Sequence, residues 1–283
     1  MFGKIGYTWN VMRASWDILK QDKKLIVLPL ISGLCCLIVL LSFALPLFLS
    51  GHAAPPAGHA APAQQVAYYA VLFLFYFCNY FVITFFNAAI VFCAFARMEG
   101  RNPTIGDGIR EAASRIHLII GWALLAATVG LVLRIIEERS SKVGAIVAGL
   151  LGMAFSVVSF LVVPVLVVER KGPFAALKVS TKLLKQTWGE QLAGNFSFGL
   201  IFFLLGLPAF ILLAIGIALI VSGSAIVLPG ALIGIAVLYL IALSLVQSTL
   251  QVIYQTAIYL YARAPEIPHN YPTTLLASAM TAK

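Results

Sequence analysis

The sequence predicts an all-α polytopic membrane bundle, with six transmembrane helices arranged as three hairpins, each preceded by a cytoplasmic amphipathic helix. Three observations predict it. Residues 25–96 contain no Asp, Glu, Lys or Arg, and neither do residues 191–262. About twenty apolar residues cross a bilayer, so each of these runs holds two spans. A shorter charge-free run, 143–168, holds another. Composition agrees, with 61% hydrophobic and 10% charged residues and a mean hydropathy of +1.00, against about 25% charged in soluble domains. The alternating pattern of an outer-membrane strand is missing, which favours helices over a barrel.

The elements follow in order along one integral domain, 1–283. In residues 5–22, Ile5, Trp9, Met12, Trp16 and Leu19 recur at helical spacing with Arg13 and Lys20 at the edge, which predicts an amphipathic helix. Residues 25–49 form the first span; this run is longer than the roughly 7–15 residues of a signal-peptide core, so it is expected to remain in place. Residues 50–65 repeat GHAAP and are rich in Ala and Pro, as in a flexible external loop. The second span is 66–96. At 1.5 Å per residue it would be about 47 Å long, beyond a hydrocarbon core of about 30 Å, so it and the last span are expected to tilt or project.

Residues 104–117 form the second amphipathic segment. Its stripe is Ile105, Ile109, Ala112 and Ile116, behind Thr104 and Asp107 at capping-box spacing. Spans three and four are 118–136 and 143–168. In residues 173–190, Pro173 suits a helical first turn. Phe174, Leu177, Leu184 and Trp188 make a stripe flanked by Lys178, Lys182 and Lys185. Spans five and six are 192–221 and 225–262, followed by a cytoplasmic tail, 263–283.

Orientation comes from the cations. Of 19 Lys and Arg, 16 fall before the first span, in the second and fourth connections, or in the tail; only Arg134, Arg139 and Lys142 fall on the other side. The positive-inside rule then places both termini in the cytoplasm. Trp9, Arg13, Trp16, Lys20, Phe174, Lys178, Lys182, Lys185 and Trp188 are the candidate membrane-surface anchors. Rings would enter the acyl edge while cations snorkel outward. The same stripes could instead pack on the bundle. The net charge of +9 points to membrane phospholipids as partners rather than nucleic acid, because the basic residues flank spans.

The polar residues inside the spans are the remaining functional clue. Ser244, Gln247, Gln251 and Gln255 share one face of the last span, and Asn79 and Asn87 lie eight residues apart in the second. Two readings are open: interhelical hydrogen bonds, or a polar path or pocket whose neutral amides suit uncharged or zwitterionic cargo. Rows of small residues, Gly144, Ala148, Gly152 and Ser156, Ala123 and Ala127, and Gly230 and Gly234, permit close packing within the chain, with a protein partner or in a homo-oligomer. No catalytic motif, cofactor motif or metal-ligand spacing is present. Cys35, Cys36, Cys78 and Cys93 read as buried small hydrophobes, and the four His would need both sides of the membrane to share a metal. The chain is expected not to be an enzyme and to need no cofactor.

The wording SWDILKQDKKLIVLPL, the turn from Glu169 to Pro173 and the order of helices together resemble uncharacterised bacterial six-span membrane families. They are also similar to the membrane domain fused to some glycerophosphodiester phosphodiesterases. That resemblance implies a bacterial inner-membrane location and transfers no functional residue. The expected function is a membrane- or lipid-interacting accessory or assembly protein; the alternative is a transporter or channel for a neutral or lipid-like molecule.

Single cysteines introduced near His59 and Ser224 should react with an impermeant thiol reagent in intact cells, while probes at Lys178 and Ala277 should not. Labelling at Lys178 would invert the assigned topology.

Overall fold

The computed structural model describes residue 13 and residues 15–49, 62–139, 142–223 and 226–263; side chains at 139, 142 and 186–198 are not described. Among the described residues the chain is all-helical, without a strand. Six helices are long and apolar enough to cross a membrane: Lys23–Leu49, Pro62–Met98, Ile116–Glu138, Val143–Val168, Gly199–Val221 and Val227–Arg263. They coincide with the six runs read from the sequence, shifted by a few residues, because bilayer thickness fixes both the length and the polarity of a span.

A 3-10 turn, Lys23–Ile26, leads into α1 (Val27–Leu49). There follow α2 (Pro62–Met98), α3 (Ile105–Ser114), α4 (Ile116–Arg139), α5 (Lys142–Val158), α6 (Val162–Val168), α7 (Pro173–Val221) and α8 (Val227–Arg263). Helix α2 begins at Pro62, four residues ahead of the second span read from the sequence, and residues 50–61 and 264–283 lie outside the described residues. Both α2 and α8 are unbroken helices of 37 residues. At 1.5 Å per residue each is about 55 Å long, so the length expected from the sequence is realised as continuous helix.

The central helix is α2, which packs against α1, α3, α4, α6 and α8. Its burial is one-sided along its length. Ala88, Ala89, Ile90, Val91, Cys93 and Ala94 are buried, as are Thr249, Leu250, Ile253, Tyr254 and Ala257 in α8. In both helices these residues lie toward the C-terminal, cation-rich end, and Leu161, just ahead of α6, joins Val165 and Leu166 of α6 in the same core. Toward the other end, the exposed residues are large and apolar, such as Leu45 and Phe48 in α1 and Leu228, Ile235 and Leu238 in α8.

Two expectations are corrected here. The segment 173–190 and the fifth span do not form separate helices: α7 runs unbroken for 49 residues. No proline interrupts residues 174–207, and Gly189 and Gly194 are accommodated within the helix. The small-residue row Gly230 and Gly234 does not serve packing inside the chain; both are exposed, and an added Cβ would meet nothing within 4 Å. The close approach of α7 to α8 is made instead by Gly216, where a Cβ would lie 2.7 Å from Ile233 Cγ1. Ala123 and Ala127 of α4 are fully buried, as their spacing suggests.

The fourth span departs from a single helix. Pro164 has no N–H, so the carbonyl four residues earlier cannot be bonded in the helical manner, and the helix opens at residues 159–161 between α5 and α6. In hydrocarbon the freed groups need a protein partner. Ser180 of α7 supplies it. Its Oγ donates to the Val158 carbonyl at 2.5 Å and accepts from the Leu161 N–H at 3.2 Å, and Ser180 is fully buried.

Ser180→Ala should therefore lower stability by about 1–3 kcal/mol, the usual cost of leaving buried polar groups unpaired, while Ser180→Thr should retain most of it. Reversible unfolding in mixed detergent micelles measures both. An unchanged midpoint for the alanine variant would show that the break has another means of support.

Candidate functional site

The break faces a pocket. On α2, Tyr80, Thr84 and Asn87 follow at steps of four and three and so share one face. Trp122 and Ala126 come from α4, and Phe155, Ser156, Ser159, Phe160 and Val163 from the two sides of the break. Gln251 and Gln255, one turn apart on α8, and Leu184 of α7 complete the wall. The cavity holds about 360 Å³, within the small-molecule range of about 300–1,000 Å³. Trp122 and Phe155 stack at 5.9 Å with their planes 12° apart, forming a flat aromatic plate on one side.

Asn87, Gln251 and Gln255 are half-buried and form no hydrogen bond among the described residues. Ser159 is satisfied, donating to the Phe155 carbonyl at 2.7 Å. No Asp, Glu, Lys, Arg or His is among the described lining residues. The wall thus presents amides, hydroxyls and aromatic surface without a formal charge. Among the described residues no group of three His, Cys, Asp or Glu is placed to hold a metal.

Of the six polar span residues singled out in the sequence, the structure gathers three. Asn79 points elsewhere, its Nδ2 donating to the Phe75 carbonyl of its own helix at 2.9 Å. Ser244 is exposed and donates to Ile241 at 2.8 Å, and Gln247 is half-buried outside the pocket. Sequence reasoning missed Tyr80, Thr84 and Trp122. The spacing of Tyr80 and Thr84 with Asn87 was available as a signal, but aromatic and threonine residues are too common in spans to stand out.

The proposed anchors divide similarly. Trp9 lies outside the described residues, and the Trp188 side chain is not described. Arg13 is exposed, and Trp16 is 42% exposed with Lys20 Nζ 5.7 Å from its ring centre. Its neighbours Ile18 and Leu19 are buried instead, so the leader presses a different face on the bundle from the one that carries Trp16. On α7, Ala176, Ser180 and Leu183 face the core, while Phe174, Lys178, Lys182 and Lys185 are all exposed. The middle segment packs on protein. Ile105 and Ile109 join the core and Ala112 is buried. Gly108 sits so near α2 that a Cβ would come within 2.9 Å of the Ala89 carbonyl oxygen.

Carboxylates clasp the basic ends of the helices. The capping box is formed: Thr104 N–H donates to Asp107 at 2.9 Å, and Asp107 N–H to Thr104 Oγ1 at 3.2 Å. Hydrogen bonds from the Thr104 backbone and hydroxyl hold the Asp107 carboxyl below its usual range. Asp22 pairs with Arg97 at 3.2 Å, joining the leader to α2. Glu111 pairs with Arg115 and, at 3.4 Å, with Arg170. Glu169, just after α6, accepts from Tyr259 Oη and Arg263 Nε, each at 3.0 Å, and pairs with Lys171 at 2.6 Å. Burial pushes its carboxyl up, but the bonds from Lys171, Arg263 and Tyr259 outweigh it and hold the group below its ordinary value.

Six membrane-capable helices define a multi-pass helical membrane protein, and an uncharged polar cavity lies between four of these spans and the first part of α7. The chain belongs to the family described as "Family of unknown function (DUF6159)", whose sequence profile matches residues 66–267. The match takes in every pocket-lining residue named above and carries no link to glycerophosphodiester phosphodiesterases. No curated protein matches the chain.

A carboxylate whose pKa is lowered on folding stabilises the fold above its unfolded value, and that contribution is lost as pH falls through the lowered folded value. Glu169→Gln should therefore destabilise by about 1–3 kcal/mol near neutral pH, as expected for bonds to a charged group. The gap from wild type should persist down to about pH 4.3, the usual glutamate range, and shrink below it. Melting midpoints of both proteins between pH 3 and 7, measured in detergent, test this; a gap independent of pH would assign the effect to shape rather than charge.

Proposed function

We propose that the chain is a non-enzymatic integral protein of the bacterial cytoplasmic membrane, with both termini in the cytoplasm, that works as a lipid-interacting accessory or assembly protein. Its six spans are read as three hairpins, each with an amphipathic segment ahead of it. The observation that carries the reading is the exposed face of α7. Phe174, Lys178, Lys182 and Lys185 project from a helix whose opposite face, through Ala176, Ser180 and Leu183, is buried. A cationic face mounted rigidly at the basic end of the bundle matches the headgroups of an anionic leaflet. Trp16 with Lys20 above it offers a second contact of the same chemistry.

A second reading, transport of a neutral or lipid-like molecule, draws on the same pocket, because amides left without partners in a span favour a polar occupant. The distribution of the amides limits that reading: a continuous polar route would draw on Asn79 and Gln247 as well, and neither lines the cavity.

The purified chain, reconstituted in vesicles of phosphatidylcholine and phosphatidylglycerol and gently released, should retain more phosphatidylglycerol than its share of the bilayer. The enrichment should weaken with salt and in the variant K178Q/K182Q/K185Q, each lysine near an anionic surface being worth about 1 kcal/mol. Native mass spectrometry counts the retained lipids; equal retention of both lipids by wild type would overturn the surface reading.

A further inference from the structure

We propose that the charge-free cavity beside the helix break is a binding site for an uncharged glyceride, its hydroxyl and ester oxygens held by Asn87, Gln251 and Gln255 and its acyl chains lying in the bilayer. The inference rests on the lipid-interacting reading and adds to it a defined pocket and a ligand class.

Two observations and the chemistry of the amide group define the ligand class. The three carboxamides lie within spans and have no hydrogen-bond partner among the described residues, a costly condition in hydrocarbon. Each carboxamide offers both donors and acceptors, so the group that satisfies them must also donate and accept, as a hydroxyl beside an ester does. No charged side chain is among the described lining residues, and a phosphate, carboxylate or ammonium placed there would be an unpaired buried ion. That separates an uncharged glyceride from the phospholipids drawn to the lysine face.

The opening and its size supply the rest. Ile83 and Ser156 are the pocket residues that are exposed. Both belong to apolar spans. Ile83 is itself a large apolar side chain, and Met153, one turn from Ser156, is 60% exposed. A ligand entering between these spans meets an apolar surface, which suits a lipid-soluble molecule. The cavity of about 360 Å³ has room for a glycerol and its ester groups against the Trp122 and Phe155 plate, with the chains outside.

Photoaffinity labelling of the full chain tests the site. Phosphatidylcholine vesicles receive a trace of diacylglycerol carrying a diazirine beside its ester, or the same amount of phosphatidylglycerol or phosphatidylethanolamine with the same group. Diacylglycerol should label residues 80–87 and 251–255 saturably, and unlabelled diacylglycerol should compete. The two phospholipids should label these segments weakly. Q251L/Q255L should lose at least about five-fold, the factor expected for one lost hydrogen bond, whereas Q247L, outside the pocket, should match wild type.

Equal labelling by all three lipids, labelling spread over outward faces such as Leu34 and Ile38, or no saturable labelling, as for a cavity holding water alone, would overturn the proposal. These comparisons among lipids use wild type, so they decide the matter even if Q251L/Q255L does not fold. The lysine-dependent retention of phosphatidylglycerol is a separate measurement. Its survival alongside failed pocket labelling would sink the glyceride site alone, and the reverse result would sink the surface reading alone.

Discussion

A backbone carbonyl or N–H inside a bilayer has no water to fall back on, and much of this structure follows from one place where that constraint is challenged. Pro164 removes a donor from the fourth span, and the helix opens at residues 159–161. Ser180 closes the account by bonding to groups on both sides of the opening. To do so, the first part of α7 must lie against the junction of α5 and α6 and cannot drift over the membrane surface. The same contact brings Leu184 to the cavity and turns Phe174, Lys178, Lys182 and Lys185 outward.

Packing is concentrated toward the basic end. There α2, α6 and α8 share a core, and carboxylates at positions 22, 111 and 169 tie neighbouring helix ends together. Away from that end, the exposed side chains of α1, α5, α7 and α8 are large and apolar. Such exposure would destabilise a soluble protein, but lipid tails solvate leucine and isoleucine as readily as protein does. What holds these segments together is close fit and local bonding. Between α7 and α8 this consists of Gly216 against Ile233 and the 2.8 Å bond from Tyr239 to the Leu205 carbonyl.

Most of the polar residues singled out in the spans, Gln247 apart, fall into two groups. Asn79, Ser244, Thr249 and Thr256 turn back to carbonyls of their own helices. Asn87, Gln251 and Gln255 face the cavity, next to a discontinuous helix. Non-helical backbone within a span is tolerated where protein covers it or where it lines a cavity, and the break at residues 159–161 does both. The bonds of Asn79 and Ser244 stay within their own helices and so join no two helices together.

The sequence by itself determined the number and approximate limits of the membrane-capable helices, because the bilayer imposes length and apolarity on every span whatever its neighbours. It also determined the cap of α3, since Thr104 and Asp107 are three residues apart and need no other element to meet. The break in the fourth span was only half visible: Pro164 marks it, yet its partner Ser180 is some twenty residues further on, in a segment whose pattern reads equally well as a surface helix. The amide stripe of the last span was visible as a stripe, but Gln247 and Gln251 lie four residues apart and only one of them reaches the cavity. Tertiary structure decided that, because the outcome depends on how far α8 is rotated against α2 and α7. Rotation is set by volumes such as the missing Cβ of Gly216, and in a span with apolar residues on every side no hydrophobic pattern records it.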